Sequence, residues 1–172
     1  MFYTIIKNFF LKKNVIKRLA TQNSIASNDK VLTIGVLVDE TYFAETSQLV
    51  ERIISQGIQK NNISIIVYKD KIKKKDVLNE PYFSLKNISI SGEIDKKGVI
   101  DFLETPFDLL INYYDVNKYA LLLLSSKSKA KFKVGFDTVD KRINHFIIKT
   151  LVEDYNEFVL ELFKYLKILN KI

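Results

Sequence analysis

The stretch "VLTIGVLVDE", residues 31–40, opens on a run in which only Thr33 and Gly35 interrupt aliphatic side chains. A continuous β-branched and aliphatic run over residues 31–38 is the pattern of a strand buried on both faces, as in a parallel sheet. After a loop comes "TSQLVERIISQGIQK", where Leu49, Ile53, Ile54 and Ile58 form an apolar face and Thr46 or Ser47 can cap the first turn. "ISIIVYKD", from Ile63, is a second buried strand. Strand, helix and strand within about forty residues make a βαβ unit, which predicts a largely parallel sheet with right-handed crossovers.

Working downstream, "KDKIKKKDVLNEPYF" is a charged connection with Pro81 and reads as an exposed loop. "NISISGEID" alternates apolar and polar residues, the mark of a short edge strand. A short helix over residues 97–104 leads into "PFDLLINYYD", a strand from Phe107 to Tyr113. "NKYALLLLSSKSK" is a helix, "KFKVGF" a strand and "HFIIKTL" one more short strand. The last segment is the clearest helix: Tyr155, Phe158, Val159, Leu162, Leu166 and Leu169 share one face. Glu153 and Asp154 open it and Lys164, Lys167 and Lys171 close it, which suits the helix dipole.

Upstream, residues 1–20 read as a basic amphipathic helix with Phe2, Ile5, Phe9, Ile16 and Leu19 on one side, interrupted by Lys12 and Lys13. Residues 21–30 are polar and without period, a linker, and residues 31–172 form the α/β domain. The predicted fold is α/β: a three-layer, Rossmann-like, mostly parallel sheet of about six strands, preceded by a basic N-terminal helix.

With 172 residues, 47% hydrophobic and 27% charged, the chain has the composition of a folded soluble protein. The absence of cysteine excludes disulfides, thiolate nucleophiles and cysteine metal sites, and fits a cytoplasmic location. Apolar runs such as residues 120–124 fall far short of the roughly 20 residues needed to span a bilayer. At the start of the chain the charges follow the apolar residues and no small-residue cleavage site appears, so the protein is expected to be neither secreted nor membrane-spanning. The net charge of +7 is uneven: residues 1–30, 59–76 and 118–142 are basic, and the remainder is net acidic. Three such segments can form a patch for phosphates or an acidic partner.

In an open parallel sheet, ligands bind beyond the carboxyl ends of the strands. Those ends carry Asp39 and Glu40, Lys69 and Asp70, Tyr113, Tyr114 and Asp115, and Asp137. Such an acidic crest can hold a cation or act as acid and base, although the same residues also begin loops and cap helices. With five glycines, and no GxGxxG or Walker sequence after the first strand, the usual nucleotide loops lack support. One histidine and no cysteine cannot make a normal zinc site, and a GxSxG elbow is missing. No catalytic residue, metal site or cofactor is therefore assigned.

The stretch "KVGFDTVDKRINHFII", residues 133–148, is the best polar concentration left. Lys141, Arg142, Asn144 and His145, with Asp137, Asp39 and Asp115 at strand ends, are the ligand- or phosphate-binding candidates. Lys129, Lys131 and Lys133 alternate onto one side of their strand, where they can meet nucleic acid or guard a solvent-facing edge. Lys73, Lys74, Lys75, Lys12 and Lys13 complete the nucleic-acid candidates.

Two resemblances add to this. "PFDLLINYYDVNKYALLLLSSKSKAKFKVGF", residues 106–136, resembles the N-terminal Rossmann-like half of the heptosyltransferase-type glycosyltransferases, in which a strand of the form "FDLVIDL" leads to an alanine- and leucine-rich helix and then to "AKxKIGF". The resemblance implies the fold and argues against the activity. Those enzymes carry a glycine-aspartate turn where this chain has "VDETYFAETS", leaving Asp39 as the one counterpart of their acidic residue, and they use a second domain for the nucleotide sugar. "SKAKFKVGFDTVDKRINHFII" with "FKYLKILNKI" is similar to an uncharacterised family of small proteins from Bacteroidota-type bacteria, which implies a bacterial cytoplasmic origin. Three functions remain open: a non-catalytic binding protein whose basic segments contact RNA, a ribonucleoprotein or another acidic partner; a degenerate glycosyltransferase-like half domain that binds a nucleotide or sugar phosphate; and an assembly factor whose first helix reaches a partner protein or the inner membrane face.

Overall fold

The computed structural model of the chain describes residues 2–21, 29–72 and 80–172. In order, the elements are α1 (Phe2–Thr21), β1 (Ile34–Asp39), α2 (Thr46–Ile54), β2 (Ile63–Tyr68), β3 (Tyr82–Phe83), α3 (Lys97–Glu104), β4 (Leu109–Tyr113), α4 (Tyr119–Lys127), β5 (Phe132–Phe136), β6 (Phe146–Ile148) and α5 (Tyr155–Ile168). The six strands form one sheet in the order β3-β2-β1-β4-β5-β6, and every pairing is parallel. Strand alternation divides the core in two. Val36, Val38, Ile111, Tyr113, Val134 and Phe136 pack with Leu49 and Ile53 of α2 and Phe158 and Leu162 of α5. Leu37, Ile66, Leu110 and Tyr114, just beyond β4, pack on the other face with α1, α3 and α4. This is the expected three-layer, Rossmann-like α/β fold.

The apolar stretch of α4 has a structural cause. Residues 120–126 are all buried, because α4 lies between the sheet and α1, and a helix covered on both sides is apolar nearly all round. Gly35 sits inside β1 because a Cβ there would lie 2.7 Å from the Phe107 ring, so the residue serves close packing and not a phosphate turn.

Several boundaries differ from the expectation. The first strand begins at Ile34, not Val31, because the Leu32 and Thr33 amides donate to the Asp108 carboxylate (3.1 and 3.0 Å) and the Val31 amide donates to the Lys171 carbonyl. The edge strand beside β2 is Tyr82–Phe83 instead of "NISISGEID". Pro81, which has no N–H, contributes its carbonyl to the Val67 amide at 2.9 Å, the arrangement a sheet edge permits. The alternation over residues 87–95 closes a small turn instead, with an isolated antiparallel bridge from Ile88 to Ile94 and Gly92 at φ +83°. β5 is no edge: it lies between β4 and β6, and Lys133 within it is buried.

α1 is seated on the domain mainly through a different face from the one its apolar stripe marks. Its inward residues are Lys7, Leu11, Val15 and Leu19, spaced by four, and they pack over α4. The apolar stripe read from the sequence faces mostly outward: Ile5 is 60%, Phe9 55% and Ile16 44% exposed, and Leu19 alone of the described stripe side chains turns in. The helix therefore has two apolar faces, one toward α4 and one outward.

Candidate functional site

The strand order reverses between β1 and β4, so a ligand crevice is expected where these two strands end. Asp39 ends β1 there. Its Oδ1 accepts from the Thr41 amide (2.9 Å) and hydroxyl (2.6 Å), and its Oδ2 meets Lys118 Nζ at 2.7 Å. Lys118 stands immediately before α4. Its ammonium also donates to Thr41 Oγ1 at 2.9 Å and to Asp70 Oδ2 at 3.0 Å, so its three protons each have an acceptor. Asp70 Oδ1 in turn accepts from the Tyr68 hydroxyl at 2.8 Å. Burial, then that hydrogen bond and the Asp70 and Asp39 charges, push the Tyr68 phenol well above its ordinary pKa, which keeps it a donor. An internal ion network at the crevice thus ties together the loops after β1, β2 and β4. Beside it, Glu40 accepts from Thr46 Oγ1 at 2.6 Å and pairs with Lys69 at 3.3 Å.

The loops after β4 and β5 are joined in the same way. Thr138 Oγ1 donates to the Asp115 carbonyl at 2.7 Å, and the Asp140 amide donates to Asn117 Oδ1 at 2.9 Å. Arg142 forms a two-pronged pair with Asp140 (2.9 and 2.6 Å), which holds the Asp140 carboxyl below its usual pKa. Asp137 is half-buried and Lys141 exposed at this end of the sheet. Asn144 and His145 belong elsewhere. Asn144 Oδ1 accepts from Asn112 Nδ2 at 2.7 Å across Gly135, where a Cβ would collide with the Asn144 amide. His145 pairs with β5: its amide donates to the Lys133 carbonyl and its Nδ1 accepts from the Lys133 amide, both at 2.8 Å. The ring stacks on Phe132 at 5.6 Å, and burial, followed by the charges of Lys133 and Lys171, lowers its pKa. The four candidates Lys141, Arg142, Asn144 and His145 are therefore not one cluster; Asn144 packs against Asn112 and Gly135, and His145 against Phe132.

The lysines of residues 118–142 are mostly engaged. Lys129 pairs with Glu104, and Lys131 pairs with Asp108 at 3.0 Å and Asp29 at 3.4 Å. Lys133 is only 4% exposed, and its Nζ donates to the Ser125 carbonyl at 2.5 Å. Burial, with a smaller contribution from Arg18, lowers its pKa to about 8. Lys73, Lys74 and Lys75 lie outside the described residues.

Lys133 gives a prediction with a definite sign. A lysine whose pKa is depressed on folding costs stability wherever the folded state must carry the charge, that is, below about pH 8. Between about 8 and the ordinary value of 10.5 the unfolded chain binds more protons, so this contribution to stability rises with pH. Lys133→Met is expected to raise the melting temperature at pH 6.5, with the gain over the parent shrinking by pH 9.5. Paired thermal scans at the two pH values test this, and a pH-independent difference would refute the assignment.

The remaining nucleic-acid candidates, Lys12 and Lys13, stand on α1. Lys12, Lys13 and Lys17 are exposed beside Ile5, Phe9 and Ile16, and among the described residues none of the three has an ion-pair partner. Lys13 Nζ lies 4.9 Å from the Phe9 ring centroid. The helix contains no acidic residue. It is fixed in place by its inner face and by Asn14 Nδ2, which donates to the Ser91 carbonyl at 2.9 Å. The spacing of Leu11, Val15 and Leu19 was the available sequence signal for that inner face.

Among the described residues no helix is long and apolar enough to cross a membrane, and no group of three or more His, Cys, Asp or Glu side chains is placed to hold a metal ion. No curated protein matches the sequence. A family profile does, over residues 7–169, and so spans α1 from Lys7 onward and the whole of the sheet. The chain belongs to DUF6913, a family of unknown function.

Proposed function

We propose that the protein is a non-catalytic binding module whose docking element is α1 and whose partner is acidic. The observation that carries this reading is the outward face of α1, where Ile5, Phe9 and Ile16 are exposed beside Lys12, Lys13 and Lys17, which have no ion-pair partner among the described residues. Unpaired cations attract a negatively charged surface, and a contiguous apolar stripe next to them marks a contact site. The pairing of Lys129 and Lys131 and the burial of Lys133 move the positive potential away from β5 and toward this helix. The Lys118 network at the strand ends supports a non-catalytic role, since it pairs with one another the charged groups that would meet a nucleotide or sugar phosphate there. A cytoplasmic setting fits the lack of cysteine.

The full chain is expected to be retained on heparin resin at low ionic strength and to elute as salt is raised. Lys12→Glu/Lys13→Glu/Lys17→Glu should flow through. Lys60→Glu/Lys97→Glu/Lys149→Glu, which changes net charge equally at exposed sites elsewhere, should still be retained. Equal loss in both triple variants would show that net charge and not α1 governs the contact, and the reading would fall.

A further inference from the structure

From the same helix we infer the class of partner: α1 lies on an anionic lipid surface, with its outer apolar stripe in the headgroup boundary and its lysines among the lipid phosphates. This rests on α1 being the docking element.

Three features of the outer face select a bilayer. First, the apolar surface is broad. Tyr3 is 62% and Phe10 44% exposed in addition to Ile5, Phe9 and Ile16, so the helix shows a wide apolar flank. A helix that enters a protein groove presents a narrower row of anchors spaced by three and four. Second, Lys12 and Lys13 flank the Ile5, Phe9 and Ile16 stripe on its two sides, with Lys13 Nζ 4.9 Å from the Phe9 ring centroid. A preformed protein groove would have to supply a carboxylate on each side. A bilayer needs no such match, because lysine stems run along the apolar boundary while the ammonium groups rise to the phosphates. Third, α1 carries five basic residues and no acid. A second copy of the chain packed on this face about a two-fold axis would set lysines against lysines, while RNA would leave Ile5, Phe9 and Ile16 against phosphate. Anionic lipid answers both the charge and the apolar area.

The helix also needs no unfolding to reach the surface. Leu11, Val15 and Leu19 hold it on α4, so the outer face is presented ready-made on the folded domain. The contact is peripheral: the apolar stripe lies in the interface plane and crosses nothing.

The test uses the full chain with unilamellar vesicles of phosphatidylcholine, alone or mixed with phosphatidylglycerol, in a flotation assay. Binding is expected to be about ten-fold or more tighter for the anionic vesicles and to weaken with salt. A second variant, Ile5→Ser/Phe9→Ser/Ile16→Ser, keeps every charge and alters only side chains that are already exposed. It should retain its heparin affinity and lose about ten-fold or more in vesicle affinity. If this variant binds anionic vesicles as well as the parent, adsorption is purely electrostatic and the inference fails. Binding of poly(U) RNA without vesicle binding also overturns it, while leaving an acidic partner for α1 intact. Absence of binding to vesicles, RNA and heparin alike removes both readings.

Discussion

Lys118→Met is expected to lower stability by about 3 kcal/mol, seen as a fall of roughly 6–12 °C in the melting temperature. The substitution keeps the aliphatic stem and removes the charge that stands between Asp39 and Asp70. The Asp39 side chain is 10% exposed and that of Lys118 16%, so water screens this pair poorly and the orphaned carboxylate has little solvent to turn to. Asp70, at 43%, can relax outward and should contribute less. Thr41 loses a donor to its hydroxyl as well, and with it the tie between the loops after β1 and β4. Adding Asp39→Asn to Lys118→Met should recover part of the loss, because no unpaired charge is then left behind. A single-variant effect below about 0.5 kcal/mol, the range of ordinary surface substitutions, would mean that the network is not a structural clasp.

Phe158→Ala is expected to be the most damaging single truncation, at about 3–5 kcal/mol. Phe158 is fully buried where α5 meets the sheet. Its ring centroid lies 4.7 Å from that of Phe136 and 5.1 Å from that of Tyr113, and Tyr113 in turn lies 4.9 Å from Phe43. The cluster links β4, β5, α5 and the loop after β1, so a cavity here loosens four segments at once. Tyr113 adds a polar anchor, since its hydroxyl donates to the Val152 carbonyl at 2.6 Å just ahead of α5. Aromatic contacts of this kind are worth more than the area they bury. Phe158→Leu fills most of the volume and should cost well under half as much. Urea titrations give both numbers, and equal midpoints for the two variants would contradict this account of the cluster.

The fold was legible where burial on two faces leaves a long apolar run. β1, β2 and β4 stand out for that reason and α5 for its single apolar face at helical spacing, and the parallel arrangement follows from the first βαβ unit alone. β3 was not legible, because two residues after a proline carry no period, whereas the longer alternation over residues 87–95 imitates a strand while closing a turn. α1 shows a deeper difficulty. Helical periodicity finds an apolar face but not its direction, and this helix has one toward α4 and another toward solvent. Lys133 illustrates the converse: its charge suggests exposure, yet α4 covers it, and only the Ser125 carbonyl tells where the ammonium goes. At the strand ends Asp39 and Asp70 follow from the general rule for parallel sheets. Lys118 does not, since nothing in "DVNKYALL" distinguishes that lysine from a helix-start residue in solvent. The stretch over residues 133–148 read as one polar cluster because its members are close in sequence. The pairing of β6 with β5 then draws Asn144 against Gly135 and His145 against Phe132 and leaves Lys141 and Arg142 on the loop.

The position of β1 in the middle of the sheet also dictates an order of events during synthesis. One edge of β1 pairs with β2, whose residues follow within a short loop and helix, but the other pairs Ile34 with Leu109. That second edge stays open until β4 has left the ribosome, and the seat for the inner face of α1 appears only with α4, later still. A nascent chain of this protein therefore passes through a stage in which both apolar faces of its first helix and one edge of its central strand are uncovered. Pairings so distant along the chain slow the search for the native state, and the intermediate they leave is the species a chaperone would hold.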